Sequence, residues 1–252
     1  VRACVALAAL ACAACSTPRS VREGVQTLTT PGSAAATTDG ANASLIYAVR
    51  TDSSVVVVDL GWSDAERALR DALSRLGATP RDVAAVLLTH SHRDHIGAWR
   101  AVAHAPFYVG RGEGARLRGE TAHGGWIPRW ADRLRRPALP DARVTVRELT
   151  GDTALAFGRD TVRAFALPGH TPGSVAWLVG GVLLVGDGAS HAKSSGRLRP
   201  ARRGFSDDAA EARRSLARLR EAVAPHPVRV ICTAHARCAP ADSATWARLA
   251  PR

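Results

Sequence analysis

Short apolar runs separated by polar breaks fill most of the chain, and their length and period sort them into strands and helices. Ser44 to Val49 and Ser54 to Leu60 predict two strands, split by the turn signal Thr51-Asp52-Ser53. The period then changes. Ala68, Leu69, Ala72, Leu73 and Leu76 recur at helical spacing, behind Ser63-Asp64-Ala65-Glu66, which has the form of a capping box, and ahead of a stop at Gly77. Val83 to Leu88 is a bounded apolar run and predicts a buried strand. A helix from about Ile96 to Ala103 and a short strand from Pro106 to Val109 follow.

Residues 110–143 break the rhythm. They are rich in Arg, Gly and Pro and carry Trp126 and Trp130. One reading is a surface excursion anchored by two core tryptophans. Beyond it, Val144 to Leu149, Thr153 to Phe157, Thr161 to Leu167, Ser174 to Val179 and Gly181 to Val185 read as successive strands, with Gly180-Gly181 as a tight hairpin turn. Residues 188–206 read as a polar loop. Asp207 to Val223 has helical spacing through Ala210, Leu216, Leu219 and Val223. Val228 to Cys232 is the last strand and Ala241 to Leu249 the last helix. Strands followed by helix, strand and helix in both halves fit an α/β fold, a two-sheet sandwich covered by helices. There is no internal sequence repeat.

The N-terminal pattern differs from the rest. Residues 1–15 combine Arg2, an Ala/Leu/Val run and small residues, as in an export signal, and are too short for a stable spanning helix. Cys12 and Cys15 each follow small residues, which resembles a bacterial lipoprotein processing site, and Cys15 opens the polar stretch Ser16-Thr17-Pro18. The expectation is a leader over 1–15, a linker over 16–40 and one domain over 41–252, exported to the periplasm or tethered to a bacterial membrane. Met is absent, so Val1 fits either a start codon read literally or a fragment. Cys232 lies in an apolar run as a buried thiol would, and in an oxidising compartment it could pair with Cys238.

Composition narrows the class. With 252 residues, 46% of them hydrophobic, the chain can bury a large core and is not a disordered segment. Its net charge of +12 is carried almost wholly by arginine, Lys193 being the only lysine. Such a balance suits an acidic substrate, nucleic acid or an anionic membrane surface. The arginines are scattered and no aromatic-interleaved basic motif appears, which argues against nucleic acid. The partner expected is a small-molecule substrate; oligomeric state is not legible.

The chemistry concentrates after the strand Val83 to Leu88, in Thr89-His90-Ser91-His92-Arg93-Asp94-His95-Ile96-Gly97. His90 and His92 are two apart, so in extended backbone they point the same way. Asp94 and His95 fall where the chain turns and point elsewhere. One segment thus offers two groups of ligands, of types that suit zinc, iron or manganese.

This segment resembles the H-x-H-x-D-H signature of the metallo-β-lactamase fold superfamily. Leu167-Pro168-Gly169-His170-Thr171-Pro172-Gly173-Ser174 is similar to that family's third histidine motif, Leu184-Val185-Gly186-Asp187 to its strand-end aspartate, and Cys232-Thr233-Ala234-His235 to its last histidine. The match runs from about residue 40 to the C-terminus. It implies a four-layer αββα sandwich and two divalent metal ions, zinc first. His90, His92 and His170 would hold one ion, Asp94, His95 and His235 the other, and Asp187 would bridge them. Asp59-Leu60-Gly61 resembles an Asp-x-Gly whose aspartate supports the metal histidines, although Leu60 replaces the usual small polar residue, and Asp59 reads equally well as a strand-end turn residue. The insertion at 110–143 would shape the substrate mouth. His191 follows Asp187 by four residues and is a weaker candidate for touching substrate; His104, His123 and His226 read as surface or satisfied core residues.

The implied activity is hydrolysis of a small ester, lactone, thioester or phosphoester by a metal-bridging hydroxide, with Asp94 orienting the nucleophile. True β-lactamases of this fold generally lack the bridging carboxylate, so amide hydrolysis of that kind is the alternative, together with a non-catalytic exported domain that binds metal or ligand. Thioesterases of the glyoxalase II type hold glutathione with a helical region after the last histidine, and only residues 236–252 follow His235.

Overall fold

The computed structural model describes residues 33–37, 44–134, 139–192, 196–235 and 238–246. The leader expected at 1–15 lies outside the described residues. A mixed first sheet has the order β1 (Ser33–Thr37), β2 (Leu45–Arg50), β3 (Val55–Val58), β4 (Val83–Leu87), β5 (Phe107–Gly110) and β6 (Val146–Leu149). Its pairs are antiparallel from β1 to β3 and parallel from β3 to β6. The second sheet has the order β14 (Cys238–Pro240), β13 (Val230–Cys232), β10 (Val182–Leu184), β9 (Val175–Val179), β8 (Asp160–Ala166) and β7 (Thr153–Phe157). Only β10 and β13 run parallel in it.

Alternation along the strands builds the layers. Tyr47 and Val49 of β2, with Val56 and Val58 of β3, face the inter-sheet core with Trp177 and Leu184. Ile46 and Ala48, with Val55 and Val57, face the other way, onto Leu69 and Leu73 of helix α1 (Glu66–Ser74) and onto Trp99. On the far side, Phe165, Leu178 and Ile231 pack against Leu216, Leu219 and Val223 of another helix, Ala209–Val223. Helix, sheet, sheet and helix form the αββα sandwich. The strands buried on both faces are why the sequence shows unbroken apolar runs there instead of alternation.

The described residues include three more helices. With α1 first, α2 is Glu113–Leu117, α3 is Trp126–Leu134, α4 is Ala209–Val223 and α5 is Ser243–Trp246. None is long and apolar enough to cross a membrane.

Several local expectations are corrected. The linker reading of 16–40 missed β1, which pairs with β2 from Ser33↔Val49 to Thr37↔Leu45. Helix α1 has no capping box: Ala65 is its N-cap without a side-chain bond, because Ser63 and Asp64 form a preceding turn closed by Ala65 N–H on Trp62 O. Such a box stands instead at Thr79 and Asp82. The helix expected at 96–103 shrinks to a 3₁₀ turn over Trp99–Val102. Gly97 N donates to Gly61 O and Ala98 N to Leu60 O, so this backbone bonds to the segment after β3 and not to its own preceding turn. The loop 188–206 contains a small hairpin, β11 (Ala189–His191) with β12 (Leu198–Pro200). Trp126 and Trp130 are exposed and anchor no core.

Candidate metal centre

Four chain segments bring their ends to one place: the turn after β4, the β8–β9 connection, the turn after β10 and the turn after β13. They are stitched by backbone bonds, Val175 N to Thr89 O at 2.8 Å and Ala234 N to Gly186 O at 3.1 Å. Two glycines permit the close packing. Gly186 has φ +52° and sits against the Thr89 side chain, and Gly169 has φ +129° and lies on the backbone of Ala212 in α4. A Cβ at either would collide, and a left-handed φ disfavours any other residue.

His90, His92 and His170 form the first group, all buried. Their facing nitrogens lie 3.0 Å apart between His90 Nε2 and His92 Nδ1, 3.1 Å between His170 Nε2 and His90 Nε2, and 2.9 Å between His170 Nε2 and His92 Nδ1. Burial, reinforced by neighbouring imidazoles, lowers the pKa of His90 and His92 well below the ordinary value; burial lowers His170 too, against the pull of Asp187. Three neutral rings with nitrogens converging this closely have too few N–H groups to bond one another. Thr89 Oγ1 donates to Asp59 Oδ2 at 2.8 Å and so accepts from His90 Nδ1 at 3.1 Å, which turns the His90 Nε2 lone pair inward.

Asp94, His95, Asp187 and His235 form the second group. His235 Nε2 lies 3.0 Å from Asp94 Oδ2 and 3.2 Å from Asp187 Oδ2. His95 Nε2 is 3.7 Å and 3.9 Å from the same two oxygens, buried and without a hydrogen-bond partner. The other His95 nitrogen, Nδ1, is held by Asp59 Oδ2 at 2.8 Å. Burial opposes charge on His95, but Asp59, Asp94 and Asp187 outweigh it and raise the ring to about 9. Burial likewise loses to Asp187 and Asp94 at His235, which is pushed up to about 11. Burial raises the Asp94 and Asp187 carboxyls, yet the surrounding histidines hold both below their ordinary value. The field that favours a proton on these rings equally favours a dication in its place.

Asp187 joins the two groups, its Oδ2 lying 3.6 Å from His170 Nε2 and 3.2 Å from His235 Nε2. Converging imidazole lone pairs beside Asp94 and the shared Asp187 fit a pair of first-row divalent ions. His235 is the most open of these side chains, 35% exposed, while His95 is fully enclosed.

The structure thus brings together every residue assigned from the sequence to the two metal sites. His191 does not join them: its Nδ1 donates to Gly196 O at 2.7 Å, and its Nε2 is buried 3.3 Å from Ile231 O. Asp59 proves to be more than a turn residue, since it holds both Thr89 and His95.

Three supporting residues escaped sequence reasoning. Glu113, fully buried, accepts from Ser91 N at 2.9 Å and from Ser91 Oγ, and from Gly173 N at 3.2 Å, so it ties the His90–His92 turn to the His170 loop. His123 packs edge-on against His92, ring centroids 4.2 Å apart, and burial together with Arg116 lowers it to about 4. Asp207 accepts from Arg116 Nη2 at 2.7 Å and from the backbone N–H groups of Gly124 and Gly125, while its own N–H reaches His170 O. Their only sequence signal was the presence of charge or imidazole inside the segment 110–143 and at the start of α4.

Comparison with known proteins agrees with this geometry. The sequence profile of the Metallo-beta-lactamase superfamily matches residues 39–235. A hydroxyacylglutathione hydrolase of Anaeromyxobacter dehalogenans (strain 2CP-C) is 36% identical over 141 residues, 56% of this chain and 44% of that protein. Another, from Gloeobacter violaceus (strain ATCC 29082 / PCC 7421), is 33% identical over 157 residues, 62% and 50% of the two chains. This chain therefore spans about half the length of the curated relatives it matches. Among solved structures, a metallo-beta-lactamase family protein from Thermus thermophilus shares the fold with a TM-score of 0.63 at 23% identity, over 84% of this chain and 75% of that one.

Proposed function

Because the chain belongs to the metallo-β-lactamase superfamily and gathers two candidate metal clusters, we propose that it is a dinuclear metal-dependent hydrolase of a small ester, lactone, thioester or phosphoester. The observation that carries this reading is Asp187 Oδ2, placed within reach of ligands of both groups. Two divalent ions bound there would supply a water acidic enough to ionise near neutral pH and would polarise the substrate oxygen. Zinc is the first choice, with iron and manganese suited to the same donors.

The chain's own residues divide the work. His90, His92 and His170 would hold one ion, and Asp94, His95 and His235 the other. Asp187 offsets charge on both. Asp94, partly buried between His95 and His235, would orient the attacking oxygen and accept its proton. Asp59 and Thr89 fix the rings from behind, and the openness of His235 supports substrate approach from that side. The names of the two relatives put a thioester first among substrates to test.

The test pairs elemental analysis of protein purified without chelator with turnover of thioester, ester, lactone and phosphodiester probes. The expected result is about two ions per chain and hydrolysis of at least one probe. One ion per chain with no turnover would leave the alternative of a non-catalytic metal-binding domain.

Export is part of the same proposal. The apolar start and Cys15 support it, and so does the disulfide between Cys232 and Cys238, opposite residues of β13 and β14, since such bonds persist in oxidising compartments. Mass spectrometry of the native N-terminus is the measurement, and an intact, unlipidated residue 1 in the cytosol would refute it.

A further inference from the structure

Helix α3 carries its apolar side chains on the wrong side for a core. Trp126 is 69% exposed, Trp130 61% and Leu134 68%, and Phe205 beside them is 37% exposed. These are the large hydrophobic side chains left in solvent among the described residues, and they are contiguous: Trp126 and Ile127 flank Gly204, next to Phe205. Soluble surfaces seldom leave such aromatics clustered without a use.

They share one side of the helix. Successive residues turn by about 100° on a helix, so Trp126, Trp130 and Leu134 fall within an arc of about 80°. Asp132 lies about 160° from Trp130 by the same count. Partly buried Asp132 is the face turned inward, where burial raises its carboxyl, Arg93 opposes that rise and Asp94 reinforces it. The aromatic arc therefore lies on the side of α3 opposite partly buried Asp132. Arg129 and Arg133, both exposed, border the arc on one side. Tryptophan and leucine on one face with arginine along its margin is the pattern of a helix that lies in a lipid headgroup layer, where indole suits the interface and guanidinium suits anionic lipid. The net charge of +12 favours the same surface.

We propose that α3 and the adjoining Phe205 form a docking face for an anionic lipid surface, with Trp126, Trp130 and Leu134 entering the interface and Arg129 and Arg133 meeting lipid phosphate. The face would hold the protein against a membrane through the exposed side of α3. This does not depend on the hydrolase reading, nor on lipidation at Cys15.

The experiment is co-sedimentation of the full chain with vesicles of phosphatidylcholine, with and without phosphatidylglycerol. Binding should require phosphatidylglycerol, and each of Arg129→Gln and Arg133→Gln should weaken it about fivefold. The variant W126S/W130S/L134S should weaken it at least about tenfold, with unchanged circular dichroism and metal content. Because residues 1–15 are themselves apolar, a second readout is independent of them: brominated lipid should quench the native chain more than W126F/W130F. Equal quenching of the two proteins would overturn the proposal. So would a triple variant that sediments like the native chain, a native chain that dimerises through this face, or a triple variant whose only defect is a raised KM for long acyl substrates.

Discussion

Asp59 Oδ2 stands 2.8 Å from His95 Nδ1, and through that bond the residue just after β3 decides which nitrogen of a histidine 36 positions later faces the candidate metal centre. The geometry is costly to the backbone, since Asp59 is the non-glycine residue with positive φ, +56°, among the described residues. The carboxylate also accepts from Thr89 N and Thr89 Oγ1, each at 2.8 Å, so it orients His95 directly and His90 through Thr89. Asp59→Ala is expected to lower metal affinity and kcat/KM by about 10–100-fold. Competition with a chromophoric chelator measures the affinity, and an unchanged value would show that His95 is held by packing alone.

Asp187 and Asp94 should separate under the same substitution. Asp187→Asn keeps the shape but removes a charge shared by both groups, so it is expected to lose metal from both and to cut kcat strongly. Asp94→Asn should lose activity with less metal loss, because Asp94 serves the second group alone and orients the nucleophile. Asp208→Asn is the control: Asp208 caps α4 by accepting from Ala210 N and Glu211 N, and asparagine caps as well. Bound metal and kcat are compared across the three, and Asp187→Asn with both ions and normal kcat would remove the bridging role.

Glu113 offers a prediction about stability. Three donors converge on its two oxygens, from Ser91 and Gly173. In Glu113→Gln one oxygen becomes an NH2 group facing a donor at a fully buried position. The expected cost is about 1–3 kcal/mol, read as a lower urea midpoint at unchanged slope. Metal affinity should fall with it, since the two loops that Glu113 joins carry His90, His92 and His170.

The metal-free protein should be most stable near pH 6.5, with losses on both sides. His90, His92, His170 and His123 are held neutral in the fold but take up protons near pH 6.5 when unfolded. Their contribution is present above that pH and is lost as pH falls below it, towards about 4 for His123. His95 and His235 behave oppositely. Their contribution is full below pH 6.5 and is lost as pH rises through about 9 and about 11. Urea midpoints of chelator-treated protein across pH 5 to 9 should trace this maximum, and bound metal should abolish the alkaline decline by replacing the protons. A monotonic profile would contradict the assigned fields.

The sequence by itself determined the two-sheet architecture and the candidate ligands, for related physical reasons. Strands buried on both faces must be continuously apolar, so β2, β3 and β4 were visible as runs. Metal ligands must be imidazole or carboxylate at strand ends, so His90, His92, Asp94 and His95 stood out in one short segment, and His170, Asp187 and His235 through their motifs. Only the tertiary structure decided what depends on partners distant in the chain. The helix expected at 96–103 gave way because Gly97 and Ala98 find acceptors at Gly61 and Leu60. His191 turns its Nδ1 to the carbonyl of Gly196. Glu113 and His123 acquired roles through Ser91, Gly173 and His92, none of them near in sequence. The outward turn of Trp126 and Trp130 is of the same kind: an aromatic pair in a polar segment has no side assigned to it until the helix beneath has found its neighbours.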